Sequence, residues 1–145
     1  MTPESLARSD TEAAHQTALF CWAAMNLRLY PELKWMHHIP NGGSRGDSVK
    51  SRMIQGAQLK QQGVKAGVAD IFFPVKRGEY SGLYIEMKKP AERPKRTGRG
   101  GVSDEQQEFG DFVKSQGFGW CVCYDWQEAS EVIKQYLNYP CGHKS

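Results

Sequence analysis

Hydrophobic residues recur along the chain with two periods, one typical of helices and one of strands. Leu19, Trp22, Ala23 and Leu27 follow the spacing of an amphipathic helix. Residues 68–75 and 119–124 are short apolar runs, as expected of buried strands. The pattern predicts, in order, a helix (10–29), a strand (35–39), a helix (48–62), two strands (68–75 and 83–88), a helix (103–116), a strand (119–124) and a helix (127–137). This order indicates an α/β fold with a mixed sheet of about four strands flanked by helices.

Several residue signals set the boundaries of these elements. Ser9 and Ser103 are predicted N-caps, each followed three residues later by Glu12 or Gln106, as in a capping box. The run 40–43, Pro-Asn-Gly-Gly, ends the first strand, and the strands at 68–75 and 83–88 form a predicted hairpin. The 145 residues suit a single domain, 1–145, with a loose tail after about residue 138.

Composition narrows the class of protein. Hydrophobic residues make up 39% and charged residues 24% of the chain, which is typical of a globular protein. No apolar run is long enough to span a bilayer, and residues 1–10 lack the apolar stretch of a secretory signal. We therefore expect a soluble protein without membrane contact, in the cytoplasm of a bacterium or the interior of an infected host cell.

Positive charge is concentrated in one segment, although the net charge is only +3. The loop after the second hairpin strand is basic and contains proline and glycine. Such a cluster attracts phosphate backbones through counterion release, although a solvated surface loop is the alternative interpretation. The basic residues are Lys88, Lys89, Arg93, Lys95, Arg96 and Arg99.

The candidate chemistry lies in the hairpin. Asp70 interrupts an apolar strand, and Glu86 and Lys88 lie on one face of the next strand because side chains alternate. Two carboxylates can hold a hard cation such as Mg²⁺ or Mn²⁺, and a lysine beside them can orient water or stabilise developing charge. A strand-edge aspartate with an exposed Glu-x-Lys salt pair remains the alternative.

A family resemblance covers most of the chain, from about residue 12 to about residue 137. Four ordered motifs resemble the virus-type replication-repair nuclease (VRR-NUC) family of the PD-(D/E)xK nuclease superfamily. One departure is Ala69, which stands where the superfamily has proline before the aspartate. The motifs are Ile39-Pro40-Asn41-Gly42-Gly43, the run 59–70 (LKQQGVKAGVAD), Glu86-Met87-Lys88, and Ser103-Asp104-Glu105-Gln106.

The resemblance implies a PD-(D/E)xK restriction-endonuclease-like core and roles for particular residues. It implies catalytic roles for Asp70, Glu86, Lys88 and Gln106. The implied ligands of Mg²⁺ or Mn²⁺ are Glu12, Asp70, Glu86 and the backbone carbonyl of Met87. Glu12 and Gln106 keep a second interpretation, because each is predicted at the capping position of its helix.

DNA contacts follow from the loops around this site. The glycine-rich loop with Asn41 and Arg45 can hold phosphate through backbone N–H groups, with an ordinary turn as the alternative. His37 and His38 point to opposite faces of their strand, where phosphate contact is an open role. The predicted DNA-binding residues are Asn41, Arg45, Lys60, Lys65, Lys89, Arg93, Lys95, Arg96 and Arg99.

The predicted function is a metal-dependent DNA endonuclease. The resemblance implies branched DNA, such as a Holliday junction, as substrate and a homodimer as the active form. Two alternatives remain, a catalytically inactive DNA-binding module of the same fold and a zinc-stabilised domain. The zinc ligands would be Cys121, Cys123, Cys141 and His143, although free thiols are expected for Cys121 and Cys123, which share a strand face. His15 is expected on a helix surface.

Overall fold

The computed structural model describes residues 1–40, 56–96 and 98–141. Four strands form a single sheet, and helices pack on it, so the predicted α/β fold with a mixed four-strand sheet is confirmed. The helices are α1 (Pro3–Leu6), α2 (Glu12–Met25), α3 (56–61), α4 (Asp104–Ser115) and α5 (Trp126–Leu137). The strands are β1 (His37–His38), β2 (Ile71–Phe73), β3 (Leu83–Met87) and β4 (Gly119–Cys123), and short 3₁₀ helices cover Pro31–Trp35 and Pro90–Glu92.

The strands lie in the order β1-β2-β3-β4. β1 pairs with β2 and β2 with β3 in antiparallel fashion, which confirms the predicted hairpin. β3 and β4 are parallel, and their connection runs through the basic loop and α4. The start of β2 therefore meets the ends of β3 and β4 at one edge of the sheet. The candidate catalytic side chains of the hairpin all lie at this end of the strands.

The two faces of the sheet pack against different helices. Leu83, Ile85 and Met87 are buried on one face, as the alternation predicted, in a core shared with α2 and α5. The other face is aromatic. The Tyr84 ring stacks on Phe72 at 4.4 Å between centroids and meets Phe109 of α4 edge-on at 5.1 Å. Because α4 packs on this face, its first turn lies near the end of β3.

The start of α4 is as predicted, and the start of α2 is not. The Ser103 hydroxyl accepts the Gln106 N–H at 3.1 Å, and the Gln106 side chain accepts the Ser103 N–H at 2.9 Å. In α2 the N-cap is Thr11 rather than Ser9, and its hydroxyl accepts the Ala14 N–H at 3.1 Å. The chain turns just before, at residue 10, which has φ 57°. Glu12 is therefore the first residue of its helix and not at the capping-box position.

Several other boundaries differ from the prediction. α2 ends at Met25, because the chain turns at Asn26. β1 is only two residues long, since the preceding segment forms a 3₁₀ helix. β2 is shortened as well: Pro74 has no N–H for the ladder, and Asp70 lies in a bend just before the strand. Of the predicted helix 48–62, residues 48–55 lie outside the described residues, and 56–61 are helical.

The segment directly after α5 contacts the turn between β2 and β3. The Gly78 N–H donates to the Pro140 carbonyl at 2.7 Å. The Tyr139 ring packs on Tyr80 and Tyr136 with centroids 6.0 and 6.2 Å away. Residues 138–140 are thus fixed on the turn between β2 and β3. Among the described helices, none is long and apolar enough to cross a membrane.

Candidate active site

Asp70, Glu86 and Lys88 converge at the edge of the sheet where β2 begins and β3 ends. The Met87 N–H donates to Asp70 Oδ2 at 2.8 Å, which ties the aspartate to the end of β3. The Lys88 ammonium lies 4.0 Å from Glu86 Oε2. Two carboxyl groups and one cation are therefore neighbours, on the same side of the hairpin.

The Glu86 carboxyl is buried and only half satisfied. The residue is 1% exposed. Its Oε2 accepts a hydrogen bond from Gln106 Nε2 at 3.1 Å, while Oε1 is buried and has no donor within the described protein. Burial, and next the charge of Asp70, raise the pKa of Glu86 to about 9. Lys88 opposes this shift but does not cancel it. Without a cation, the carboxyl is thus protonated near neutral pH, and its proton can be shared with Asp70.

Lys88 is buried although it is a basic residue. It is 6% exposed, and its backbone N–H donates to the Cys123 carbonyl at 2.8 Å, which continues the parallel ladder beyond β3. A buried ammonium requires a compensating charge, and Glu86 supplies it when ionised. The lysine therefore stands at a fixed position beside the carboxylates.

Glu12 reaches the same site from the first turn of α2. Its pKa is raised by partial burial and by a hydrogen bond with Glu92, and the charges of Lys88 and Asp70 also act on it. Glu92 belongs to the 3₁₀ helix Pro90–Glu92, and its Oε1 accepts the Lys89 N–H at 3.3 Å. Glu92 was not among the predicted site residues. Its signal was that it is the one acidic residue within the basic segment 88–99.

Gln106 combines the two roles that the sequence left open. Its Oε1 accepts the Ser103 N–H and completes the capping box, and its Nε2 donates to Glu86. The helix start and the carboxyl of β3 are thereby joined through one side chain. The contact with Glu86 places Gln106 in the candidate active site.

The donor set fits a hard divalent cation. Glu86 Oε1 has no protein donor, and Asp70 uses only Oδ2 in the bond to Met87. Carboxylate oxygens of this kind are preferred ligands of Mg²⁺ and Mn²⁺. Successive strand residues direct their backbone groups to alternate sides, so the Met87 carbonyl faces the same side as its N–H, towards Asp70. Within the described ranges, no three His, Cys, Asp or Glu side chains are grouped so that they alone could hold a metal ion.

The predicted DNA-binding residues fall into three groups. Asn41 and Arg45 lie outside the described residues. Arg93 and Arg99 are engaged within the protein: Arg93 lies 2.8 Å from Asp125 and over the Tyr124 ring at 5.3 Å, and Arg99 pairs with Asp104. Arg93 is therefore paired within the protein, and its predicted contact with DNA stays a prediction. The remaining predicted contacts have exposed side chains: Lys60, Lys65, Lys89, Lys95 and Arg96.

His15 is not on a helix surface, contrary to prediction. It is 3% exposed, its Nε2 lies 2.8 Å from Asp10 Oδ1, and its Nδ1 accepts the Trp126 N–H at 3.1 Å. The ring joins α2 to the first turn of α5. Apolar spacing could not show this contact, because its partner is 111 residues away.

The cysteines give no support to a zinc-stabilised domain. Cys121 and Cys123 share a strand face, as predicted, with sulfur atoms 3.9 Å apart. Cys123 is fully buried in the hydrophobic core, whereas Cys141 is exposed. His143 lies outside the described residues. The described cysteines are free thiols, as predicted for Cys121 and Cys123.

A hairpin that brings an aspartate and a Glu-x-Lys motif to the edge of a mixed sheet defines the class of PD-(D/E)xK nuclease folds. The model of the VRR-NUC domain family matches residues 10–126, and the chain belongs to this family. A solved structure described as a VRR_NUC domain protein is 26% identical, with a TM-score of 0.67 over 90% of each chain. No curated protein matches the sequence. The chain is thus a member of a nuclease-like family.

Proposed function

We propose that this protein is a divalent-metal-dependent DNA endonuclease that hydrolyses phosphodiester bonds. The observation that supports the proposal is the half-satisfied carboxyl of Glu86, buried beside Asp70 and facing Lys88. Ionising a buried carboxyl beside a second carboxylate is costly unless a cation balances the two charges. A cation bound by Asp70 and Glu86 would remove that cost, with Glu12 and the Met87 carbonyl as further ligands.

The side chains of the chain itself supply position and charge. Lys88 is fixed by burial and lies where a cation can stabilise the developing negative charge of a phosphate or orient the attacking water. Gln106 donates to Glu86 Oε2 and leaves Oε1 without a donor from the described protein. When bound, Mg²⁺ or Mn²⁺ supplies Lewis-acid polarisation of the phosphate and makes water more acidic.

The exposed cations around the site fit a polyanionic backbone. Lys89, Lys95 and Arg96 lie in the loop that begins directly after Lys88, so a DNA strand on this loop also passes the carboxylates. Lys60 and Lys65 lie on the chain leading to Asp70. Each phosphate contact releases counterions, so we expect the affinity for DNA to fall steeply with salt.

The substrate and assembly follow from the family resemblance. We propose branched DNA, such as a four-way junction, as the preferred substrate. We also propose that the protein forms a homodimer, which places two active sites on opposite DNA strands. We propose the cytoplasm as its location. Cleavage of labelled four-way, flap and linear DNA at equal rates would contradict the junction preference. A monomeric mass by light scattering, in the presence of junction DNA, would contradict the dimer.

A single lysine substitution separates the enzyme from an inactive DNA-binding module. We expect Lys88→Met to lower the cleavage rate at least about 100-fold in Mn²⁺ while DNA affinity changes little, because the loss of one acid–base or charge-stabilising group has this size. The matched control is Lys76→Met, at an exposed lysine in the turn at the opposite end of the hairpin. If the wild-type protein binds DNA but cuts none of the substrates, the binding module is the correct function.

A further inference from the structure

Asp70 is held by contacts from outside its own strand. It lies in a bend before β2, so the regular ladder does not fix it. Its carboxylate accepts the Met87 N–H, and its backbone carbonyl accepts two further hydrogen bonds. These come from the Ile39 N–H at 2.7 Å and from Nδ1 of His38 at 2.8 Å. Three hydrogen bonds thus hold both the carboxylate and the backbone of the residue.

The bond from His38 defines the state of its ring. A carbonyl oxygen only accepts, so Nδ1 carries the proton and donates it. The pairing of His38 with Ile71 across the β1–β2 ladder brings the ring to the carbonyl of the residue before Ile71. The bond is therefore a consequence of strand register, and it acts directly on a candidate metal ligand.

The neighbouring histidine offers a natural comparison. His37 is also exposed and is one residue away on the same short strand. Its Nδ1 bonds to the Trp35 carbonyl at 3.0 Å, and its ring meets Phe72 edge-on at 5.9 Å. Both histidines bond to a backbone carbonyl, but that of His37 belongs to its own segment, away from the carboxylates.

We propose that His38 is a positioning residue for the metal site, which holds the Asp70 carbonyl and thereby sets the direction of the Asp70 carboxylate. The inference rests on the proposed function, since it takes Asp70 as a metal ligand. Hydrogen-bond partners that orient metal ligands typically change metal affinity 10- to 100-fold when removed. His38 shares the carbonyl with the Ile39 N–H, so we expect the lower end, about 10-fold.

Mn²⁺ affinity measures this role without relying on cleavage. Free Mn²⁺ is followed by electron paramagnetic resonance during titration of the metal-free full chain and of three variants. We expect His38→Ala to raise the Kd about 10-fold and His37→Ala to leave it unchanged. His38→Asn should retain most of the affinity, because its amide N–H can occupy the place of Nδ1 and donate to the same carbonyl. Melting temperatures should differ little, since one exposed hydrogen bond contributes little to stability.

Several outcomes would overturn the inference. One is an unchanged Kd in His38→Ala, and another is an equal loss in His37→Ala, which would indicate a general effect of the β1 edge. A third is weaker DNA binding by His38→Ala in chelator with normal Mn²⁺ affinity, which would make His38 a phosphate contact instead. A wild-type protein that does not bind Mn²⁺ would overturn the proposed metal site itself, together with this inference.

Discussion

Replacing Glu86 by glutamine should stabilise the metal-free protein. The folded state raises the pKa of Glu86 from 4.5 to about 9, so it retains a proton that the unfolded chain releases. Between these two pKa values the unfolded state binds fewer protons, and the free energy of unfolding therefore falls as pH rises. Glutamine copies the protonated carboxyl, because it can accept from Gln106 and donate towards Asp70, but it does not titrate.

The expected gain follows from the width of this window. Each pH unit above the unfolded pKa costs about 1.4 kcal/mol, so at about pH 7 the wild-type loses roughly 3 kcal/mol that Glu86→Gln does not lose. For a chain of this size the melting temperature should rise by about 10 °C. The difference between the two proteins should widen with pH up to about pH 9 and then become constant.

Urea unfolding in the presence of EDTA, from about pH 6 to about pH 8.5, measures this difference. Glu108→Gln, at an exposed position in α4, is the matched control and should leave the pH dependence as in the wild-type. With saturating Mn²⁺ the order should reverse, because only the wild-type carboxylate gains the stabilisation of bound metal. Equal stability of Glu86→Gln and wild-type across this pH range would refute the reasoning.

Three further predictions follow. Mn²⁺ binding at about pH 7 should release about one proton, seen by calorimetry in buffers of different ionisation enthalpy, because Glu86 must ionise. Arg96→Ala should reduce the steepness of the plot of log DNA affinity against log salt concentration by about 1. Arg93→Ala should leave the slope as in the wild-type, because Arg93 is paired with Asp125. Equal slopes for the two variants would contradict this prediction. Gly63→Ala should lower the free energy of unfolding, measured in urea, by about 1 kcal/mol. Gly67→Ala should lower it clearly more, because the added Cβ would lie 2.5 Å from a backbone oxygen of α4.

Local patterns predicted most of the fold because they depend on neighbours in sequence. The capping box at Ser103 and the apolar alternation of β3 both describe interactions over a few residues, and both are confirmed. The start of α2 was predicted wrongly because both Ser9 and Thr11 are suitable N-caps. The positive φ at residue 10 decides between them, and no local pattern signals it.

The candidate site was predictable only in part. Alternation placed Glu86 and Lys88 on one face, and the hairpin brought Asp70 beside them. Some hydrogen bonds that hold the site residues come from segments distant in sequence, so local patterns could not predict them. One example is the bond between His38 and the Asp70 carbonyl, which are 32 residues apart. Charge pattern could not show that Arg93 is neutralised, because its partners Asp125 and Glu128 lie in the loop before α5 and in its first turn.

The amide of Gln106 accepts a hydrogen bond through its oxygen and donates one through its nitrogen. The oxygen must accept from a backbone N–H at the start of α4, and the nitrogen must donate to the carboxyl on β3. A glutamate of the same length could satisfy the helix but would place a second negative group against Glu86. An amide is therefore the only side chain of this length that serves both partners, which makes this position selective for glutamine in particular rather than for any polar residue.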